Sequence, residues 1–294
     1  MSKKLQGSLV LLLTAMIWGA SFVSQSKGLD HMRPFSFNGL RSVIGGLSLL
    51  PVIAVMRRGR DSSDMRISLI GGACCGVVLF IASSLQQVAI QYTTAGKAGF
   101  ITALYIIIVP ILQLLLKQRP PKQIWLCAAA ALAGFWLLSV KEGFTVHPGD
   151  LLMLLCAVFF AVHIIVIDRF NARGTDPLVM SCVQFFTAGL MSLPPALISE
   201  HPTAGAIAMS WLPLLYSGVA ACGVGYTLQI VGQRSTPPAA ATLIMSLESV
   251  FAVLSGWLIL GEQLSPRELG GCALVFAAVV GAQIELPPRK GADA

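Results

Sequence analysis

The sequence predicts an all-α integral membrane protein with ten transmembrane helices arranged as two inverted five-helix repeats. Three observations predict it. Of the 294 residues, 55% are hydrophobic and 11% charged, whereas soluble domains carry about 25% charged residues. Stretches without Lys, Arg, Asp or Glu recur along the chain, among them 5–26, 67–96, 98–116, 123–140, 177–199 and 202–233, and a bilayer core is crossed by about 20 apolar residues of helix. Residues of the second half also repeat those of the first at a nearly constant offset.

The apolar stretches are continuous and do not alternate with period two, so they read as helices and not as barrel strands. In order, helices are expected at about 5–26, 34–56, 67–90, 96–117, 122–140, 150–168, 177–199, 210–232, 239–260 and 268–285. The first follows Lys3 and Lys4 and resembles a secretory signal at its start. Its apolar run exceeds the 7–15 residues of a signal core, and nine further spans follow it, so it is expected to remain as an uncleaved helix. The third contains Gly72-xxx-Gly76, a close-packing motif. The fifth and tenth, around 127–138 and 269–281, are rich in Ala and Gly with almost no polar atoms. They read as peripheral scaffold, or as a packing surface for a second copy of the chain in a homodimer.

The formal charge of +7 would suggest nucleic acid in a soluble domain, but the basic residues lie between spans, where they set orientation. With a cytoplasmic N-terminus, the tails and even-numbered loops hold fourteen Lys and Arg, and the opposite side holds five, Lys27, Arg33, Lys97, Lys141 and Arg267. Both termini are therefore expected in the cytoplasm of a cell bearing the protein in its inner or plasma membrane. The seven cysteines all fall inside apolar spans and show no CxxC or Cys/His spacing, so neither a disulfide framework nor a metal site is expected.

Offsets of 142 to 145 align the two halves. Pro34 falls on Pro177, Gly46 on Gly189, Pro51 on Pro194, Leu85-Gln86 on Leu228-Gln229, Thr93 on Thr236 and Cys127 on Cys272. Matched prolines and a matched intramembrane glutamine are harder to obtain by chance than Leu on Leu. Five spans per half is an odd number, so duplicated halves enter the membrane in opposite senses. The units are 1–142 and 143–294 within one membrane domain.

Leu247-Glu248-Ser249-Val250-Phe251-Ala252, followed by 256–262 (GWLILGE), resembles the signature that closes the second half of EamA-type carriers of the drug/metabolite transporter superfamily. Ile17-Trp18-Gly19-Ala20-Ser21-Phe22, Arg41 and Thr93-Thr94-Ala95-Gly96-Lys97-Ala98 extend the resemblance over essentially the whole chain. Ser249 stands where the family usually has proline, which removes the expected source of a kink. The resemblance implies a ten-helix secondary carrier, with many relatives that export amino acids and other small metabolites.

Polar side chains inside the spans need a cavity or a partner. Trp18, Ser21 and Gln25 share one face of the first helix; Ser83, Gln86 and Gln87 cluster on the third; Tyr226, Gln229 and Gln233 repeat the pattern on the eighth. Thr102 and Tyr105 come from the fourth helix, His163 from the sixth, and Ser246 and Glu248 from the ninth. The repeat pairs Ser21 with His163, Ser83 with Tyr226, Gln86 with Gln229 and Tyr105 with Glu248, which brings these faces to one central place. The expected cavity residues are Trp18, Ser21, Gln25, Ser83, Gln86, Tyr105, His163, Tyr226, Gln229 and Glu248. Arg41, Lys97 and Glu248 are the candidates for charge pairing or coupling. Each polar residue also has an ordinary reading as interhelical glue, worth about 0.6 kcal/mol in a helical bundle. Arg41 reads equally as a tether to backbone carbonyls or as a partner of Glu248. An ionised Glu248 near the midplane costs about 2.5 to 3.5 kcal/mol, offset either by a fixed partner or by carrying a proton.

Paired carboxylates, a phosphate loop and a Ser/His/Asp set are missing from the sequence, and the loops are too short for a soluble catalytic domain. Channels use rings of like residues, whereas the intramembrane charges here are single. The expected function is a secondary carrier working by alternating access, with a facilitator or channel and an intramembrane enzyme as the other classes. The groups at the expected cavity suit a neutral or zwitterionic, amino-acid-like solute better than a phosphate ester, which would favour clustered Lys and Arg. No cofactor is implied, and partners are limited to the small-molecule substrate, the bilayer and a possible second copy. Efflux is implied by the resemblance alone.

Overall fold

A computed structural model describes residues 3–56, 65–92, 95–139, 148–260 and 265–284, with the side chains of 95–97, 139, 259 and 260 outside that description. All regular structure among these residues is helical. The elements are α1 (Lys3–Leu29), α2 (Pro34–Met56), α3 (Met65–Ala89) with a 3₁₀ turn at Ile90–Tyr92, α4 (Ala95–Thr102), α5 (Tyr105–Leu115), α6 (Lys122–Ser139) and α7 (Pro148–Asn171). They continue with α8 (Pro177–Pro195) and a π turn at Ala196–Glu200, α9 (Ala204–Met209), α10 (Trp211–Leu215), a π-helical segment at Tyr216–Tyr226, α11 (Thr227–Gln233), α12 (Pro238–Met245), α13 (Glu248–Leu260) and α14 (Pro266–Gln283). Eight stretches among the described residues are long and apolar enough to cross a membrane, and Lys122–Leu138 is a shorter apolar helix.

Local chemistry sets the helix starts. Five helices begin on a proline, α2, α7, α8, α12 and α14, where the missing N–H is one that a helix leaves unpaired anyway. Asp176 caps α8, its carboxylate accepting from the backbone N–H groups of Leu178 and Val179, and Ser265 with Glu268 forms a capping box at α14. At the far end of α8, Pro194 and Pro195 withhold two backbone donors, and the ladder widens to an i→i−5 bond from His201 N to Ala196 O of 2.9 Å.

Three expected single helices are interrupted. The fourth breaks at Ala103–Leu104 and the ninth at Ser246–Leu247. Both tighten into 3₁₀ turns, marked by Leu104 N to Ile101 O (3.2 Å) and Leu247 N to Ile244 O (3.2 Å). Neither break contains a proline, so Ser249 costs the ninth helix no kink. Its hydroxyl donates to Gly99 O at 3.3 Å, tying α13 to α4. The expected eighth helix is wound as π over Tyr216–Tyr226. Side chains of α1 reach its carbonyls: Trp18 Nε1 donates to Ala221 O at 3.2 Å and Thr14 Oγ1 to Gly225 O at 3.4 Å. Insertion of side chains into a helix ladder is a recognised cause of such widening.

The distribution of polarity is that of a membrane protein. Leu115, Leu126 and Ile198 are each at least 74% exposed, while Asn38, Gln87, His163 and Gln184 are fully buried. Helices approach closely through glycine. A Cβ at Gly72 would lie 2.6 Å from Val183 Cβ, and one at Gly76 2.5 Å from Thr187 Cβ, so the Gly72-xxx-Gly76 stripe seats α3 on α8. The Ala- and Gly-rich fifth and tenth helices, α6 and α14, pack on each other. A Cβ at Gly134 would meet Gly271 O at 2.9 Å, and one at Gly271 would meet Gly134 O at 2.7 Å.

Candidate functional site

Seven of the ten expected spans, with α6, α8 and α14 excluded, converge on a narrow central cleft with about 50 Å³ of free volume. From α1 it receives Trp18, Ser21, Phe22 and Gln25, at spacings of three and four that place them on one face. Gln25 Nε2 donates to Ser21 Oγ at 3.3 Å. Arg41 enters from α2 and Gln86 from α3. The two helix breaks contribute from opposite sides: Thr102 and Tyr105 flank one, Met245 and Glu248 the other. The sixth and eighth spans supply Phe160 and His163, and Cys222, Tyr226 and Gln229.

An aromatic wall runs across the cleft. The rings of Trp18 and Tyr226 are 4.5 Å apart between centroids, and His163 and Phe185 meet Tyr226 edge-on at 5.9 and 5.3 Å. The same cleft holds the hydrogen-bonding groups. Tyr105 Oη donates to Glu248 Oε1 at 3.1 Å. Gln25 Oε1, Gln229 Oε1 and His163 Nδ1 are buried without a hydrogen-bond partner, so the cleft wall holds acceptor capacity that its own side chains do not use.

The two charges stand apart. Arg41 Nε and Nη2 both donate to Asn38 Oδ1, at 3.1 and 2.9 Å, and its guanidinium lies 5.9 Å from the centre of the Phe37 ring. Asn38 Nδ2 donates in turn to Ser83 Oγ (3.0 Å) and Ser84 Oγ (3.3 Å). Among the described residues no ion pair joins Arg41 to Glu248. Arg41 is therefore tethered to a side-chain amide, neither to Glu248 nor to backbone carbonyls.

Ten of the twelve sequence-derived candidates line the cleft: Trp18, Ser21, Gln25, Arg41, Gln86, Tyr105, His163, Tyr226, Gln229 and Glu248. Ser83 does not; it holds Asn38 and back-bonds to Leu79 O at 2.7 Å. The side chain of Lys97 lies outside the described residues, as do Thr93 and Thr94 of the same motif. Phe22, Ile164, Ala221, Cys222 and Met245 are apolar lining that polarity-based reading passes over. Spacing of four from Trp18 and from Phe160 would have pointed to Phe22 and Ile164. Among the described residues no group of three His, Cys, Asp or Glu could hold a metal.

A second, wider cavity opens where α7 ends and α8 begins, with Asp168, Asn171, Asp176 and Arg234 on its wall. Arg234 Nη2 donates to Thr175 O, and Gln233 Nε2 to Ile164 O at 3.2 Å. The second bond holds α11 against α7, and the first ties the residue after α11 to the loop between α7 and α8.

A bundle with an apolar exterior, interrupted helices and a buried polar cleft at its centre defines a membrane transporter. The chain belongs to the EamA-like transporter family, whose sequence model matches it twice, over residues 5–140 and 147–282. An uncharacterized transporter of Archaeoglobus fulgidus is 34% identical over 279 residues, covering 95% of this chain and 86% of that protein. The uncharacterized transporter YwfM of Bacillus subtilis is 27% identical over 96% of this chain and 95% of its own length. The uncharacterized inner membrane transporter YedA of Escherichia coli is 25% identical over 90% and 86%. A protein of known crystal structure matches the fold with a TM-score of 0.79 over 94% of this chain and 98% of its own, at 19% identity.

Proposed function

We propose that the protein is a secondary carrier that moves a small zwitterionic, amino-acid-like metabolite through the central cleft by alternating access. The observation that carries this reading is the placement of Arg41 and Glu248, two buried charged side chains of opposite sign on one cleft and not paired with each other. A buried charge without a counter-charge is costly, and a solute bearing both a carboxylate and an ammonium complements both at once. Unused acceptors on Gln25, Gln229 and His163 suit the donors of an ammonium group. The aromatic wall offers an apolar surface for the remainder of the solute.

Ten spans in two inverted repeats, 1–142 and 143–294, supply the moving parts. The double match to the family supports the duplication, as do the helix breaks at Ala103–Leu104 and Ser246–Leu247, 143 residues apart. One half rocking on the other would open the cleft to each side in turn, driven by an ion or solute gradient. The charge bias supports cytoplasmic termini, and the family resemblance supports efflux. A second copy would dock on the outer faces of α6 and α14, where Leu126, Trp136, Leu269 and Phe276 are exposed.

Counterflow in proteoliposomes tests the reading. Vesicles loaded with an unlabelled amino acid mixture should take up labelled amino acids faster than empty vesicles, and should fail to do so with labelled hexose phosphates. Counterflow of the phosphates with none of the amino acids would overturn it.

A further inference from the structure

Within the aromatic wall His163 of α7 meets Gln184 of α8, with Nε2 and Oε1 3.1 Å apart and both residues fully buried. His163 lines the cleft and Gln184 does not, so the imidazole stands between the amide and whatever occupies the site. Each partner keeps one unused polar atom, His163 Nδ1 and Gln184 Nε2. Edge-on contact with Tyr226 fixes the ring plane.

Two hydrogen-bond arrangements fit this geometry. In one, His163 Nε2–H donates to Gln184 Oε1, and Nδ1 is left as an acceptor. Turning the amide over and moving the ring proton from Nε2 to Nδ1 gives the other, in which Gln184 Nε2–H donates to His163 Nε2 and Nδ1–H becomes a donor. Each arrangement contains one internal hydrogen bond and leaves one unused group on each partner. The proton lost at one nitrogen is regained at the other, so the net charge is the same. With one internal hydrogen bond in each, the group that enters the cleft can decide between them.

We propose that Gln184 is a positioning residue whose amide flip lets His163 present either a hydrogen-bond acceptor or a donor to the cleft without a change of charge. The inference rests on the cleft being the solute site. Its counterpart in the first half sharpens it. Gln184 lies 143 residues after Arg41, the separation that also relates Tyr105 to Glu248. The position that carries a fixed cation in one half carries an ambivalent amide in the other. One end of the solute then meets a fixed charge, while another part meets a group that adapts to it. Such a site admits solutes that differ in side-chain hydrogen bonding.

The protein has four histidines, His31, His147, His163 and His201, so ¹⁵N-histidine labelling in nanodiscs gives a countable spectrum, with His163 assigned by its loss in His163→Gln. In the wild type Nε2 of His163 should be only partly protonated, as two exchanging or coexisting forms. In Gln184→Glu, whose carboxylate only accepts, Nε2 should be fully protonated. A wild-type Nε2 that is fully protonated, or wholly unprotonated, would overturn the proposal whether or not the variant folds. A second readout is transport: Gln184→Glu should change the counterflow ratio of serine to O-methylserine by about tenfold, where a merely structural role would slow both alike. Failure of amino acid counterflow in the wild type would strike the substrate reading and leave the nitrogen measurement as the test of the flip.

Discussion

Tyr105 donates a hydrogen bond of 3.1 Å to Glu248, a residue 143 positions further along the chain, and each is the first residue of a helix that restarts after a break. Residues at corresponding places in two repeats touch only where they lie close to the axis relating the repeats, so this bond marks the centre of the proposed pseudo-symmetry. It is also where the symmetry fails chemically, since one half presents a phenol and the other a carboxyl. Such a difference gives a cleft between similar halves a polarity.

Glu248 accepts from Tyr105, and no cation pairs with it among the described residues. In the proposed carrier, a carboxyl held by a neutral donor could gain a proton on one side and lose it on the other. Glu248→Gln keeps an acceptor for Tyr105 and loses that freedom. The variant is expected to fold and to lose accumulation driven by a pH gradient, while counterflow persists only at a raised half-saturation concentration, because the ammonium's counter-charge is gone. Normal accumulation in a well-expressed variant would remove Glu248 from coupling.

Arg41 grips Asn38 through two nitrogens of its planar guanidinium. Lysine has the charge without the fork, so Arg41→Lys leaves the charge in the cleft but aims it poorly. Hydrogen bonds to charged groups are worth about 1.5–3 kcal/mol, so the half-saturation concentration for counterflow should rise at least about tenfold. Asn38→Leu should produce the same shift with Arg41 intact, because it removes the fork's anchor. An unchanged half-saturation in both variants would place Arg41 away from the solute.

Much of this architecture was legible in the sequence, and the exceptions have physical causes. Charge-free runs marked stretches that fold as apolar helices, most of them long enough to cross a membrane, and polar residues spaced by three and four marked the buried faces of α1, α3 and α11. The π winding at Tyr216–Tyr226 was not legible, because it depends on Trp18 and Thr14 reaching carbonyls more than 200 residues away. The breaks in the fourth and ninth helices carry no proline to announce them. Ser83 has the composition of a cavity residue, and only the position of Asn38 turns it to another task. Arg41 offered a choice of partners that only the packing of α2 could decide.

The contact between α6 and α14 gives a prediction with a built-in control. A Cβ at Gly271 would lie 2.7 Å from Gly134 O, whereas one at Gly270 would meet nothing within 4 Å. Gly271→Ala should therefore destabilise the bundle by about 1–3 kcal/mol through overpacking. Gly270→Ala should be neutral or stabilising by about 0.5–1 kcal/mol, since alanine is the better helix former. Thermal unfolding in detergent measures both. Equal shifts for the two variants would mean that the helices do not cross at Gly271.

Orientation in the membrane follows from where the positive charges lie. With the N-terminus inside, fourteen Lys and Arg fall on the cytoplasmic side and five on the other, and an excess of this size in short loops sets topology. Reporters fused after Arg60, Lys122, Arg173 and the C-terminus should score cytoplasmic, and fusions after Asp30, Glu142 and Glu200 should score external. Glu200 adds a structural constraint, because its carboxylate accepts from the backbone N–H groups of Phe35 and Ser36 and from the Ser36 hydroxyl. The start of α2 and the end of the seventh span must then lie on the same face of the membrane. A fusion after Asp30 and one after Glu200 must agree whatever the absolute orientation. An external C-terminus would contradict the count of ten spans, and with it the inverted repeat.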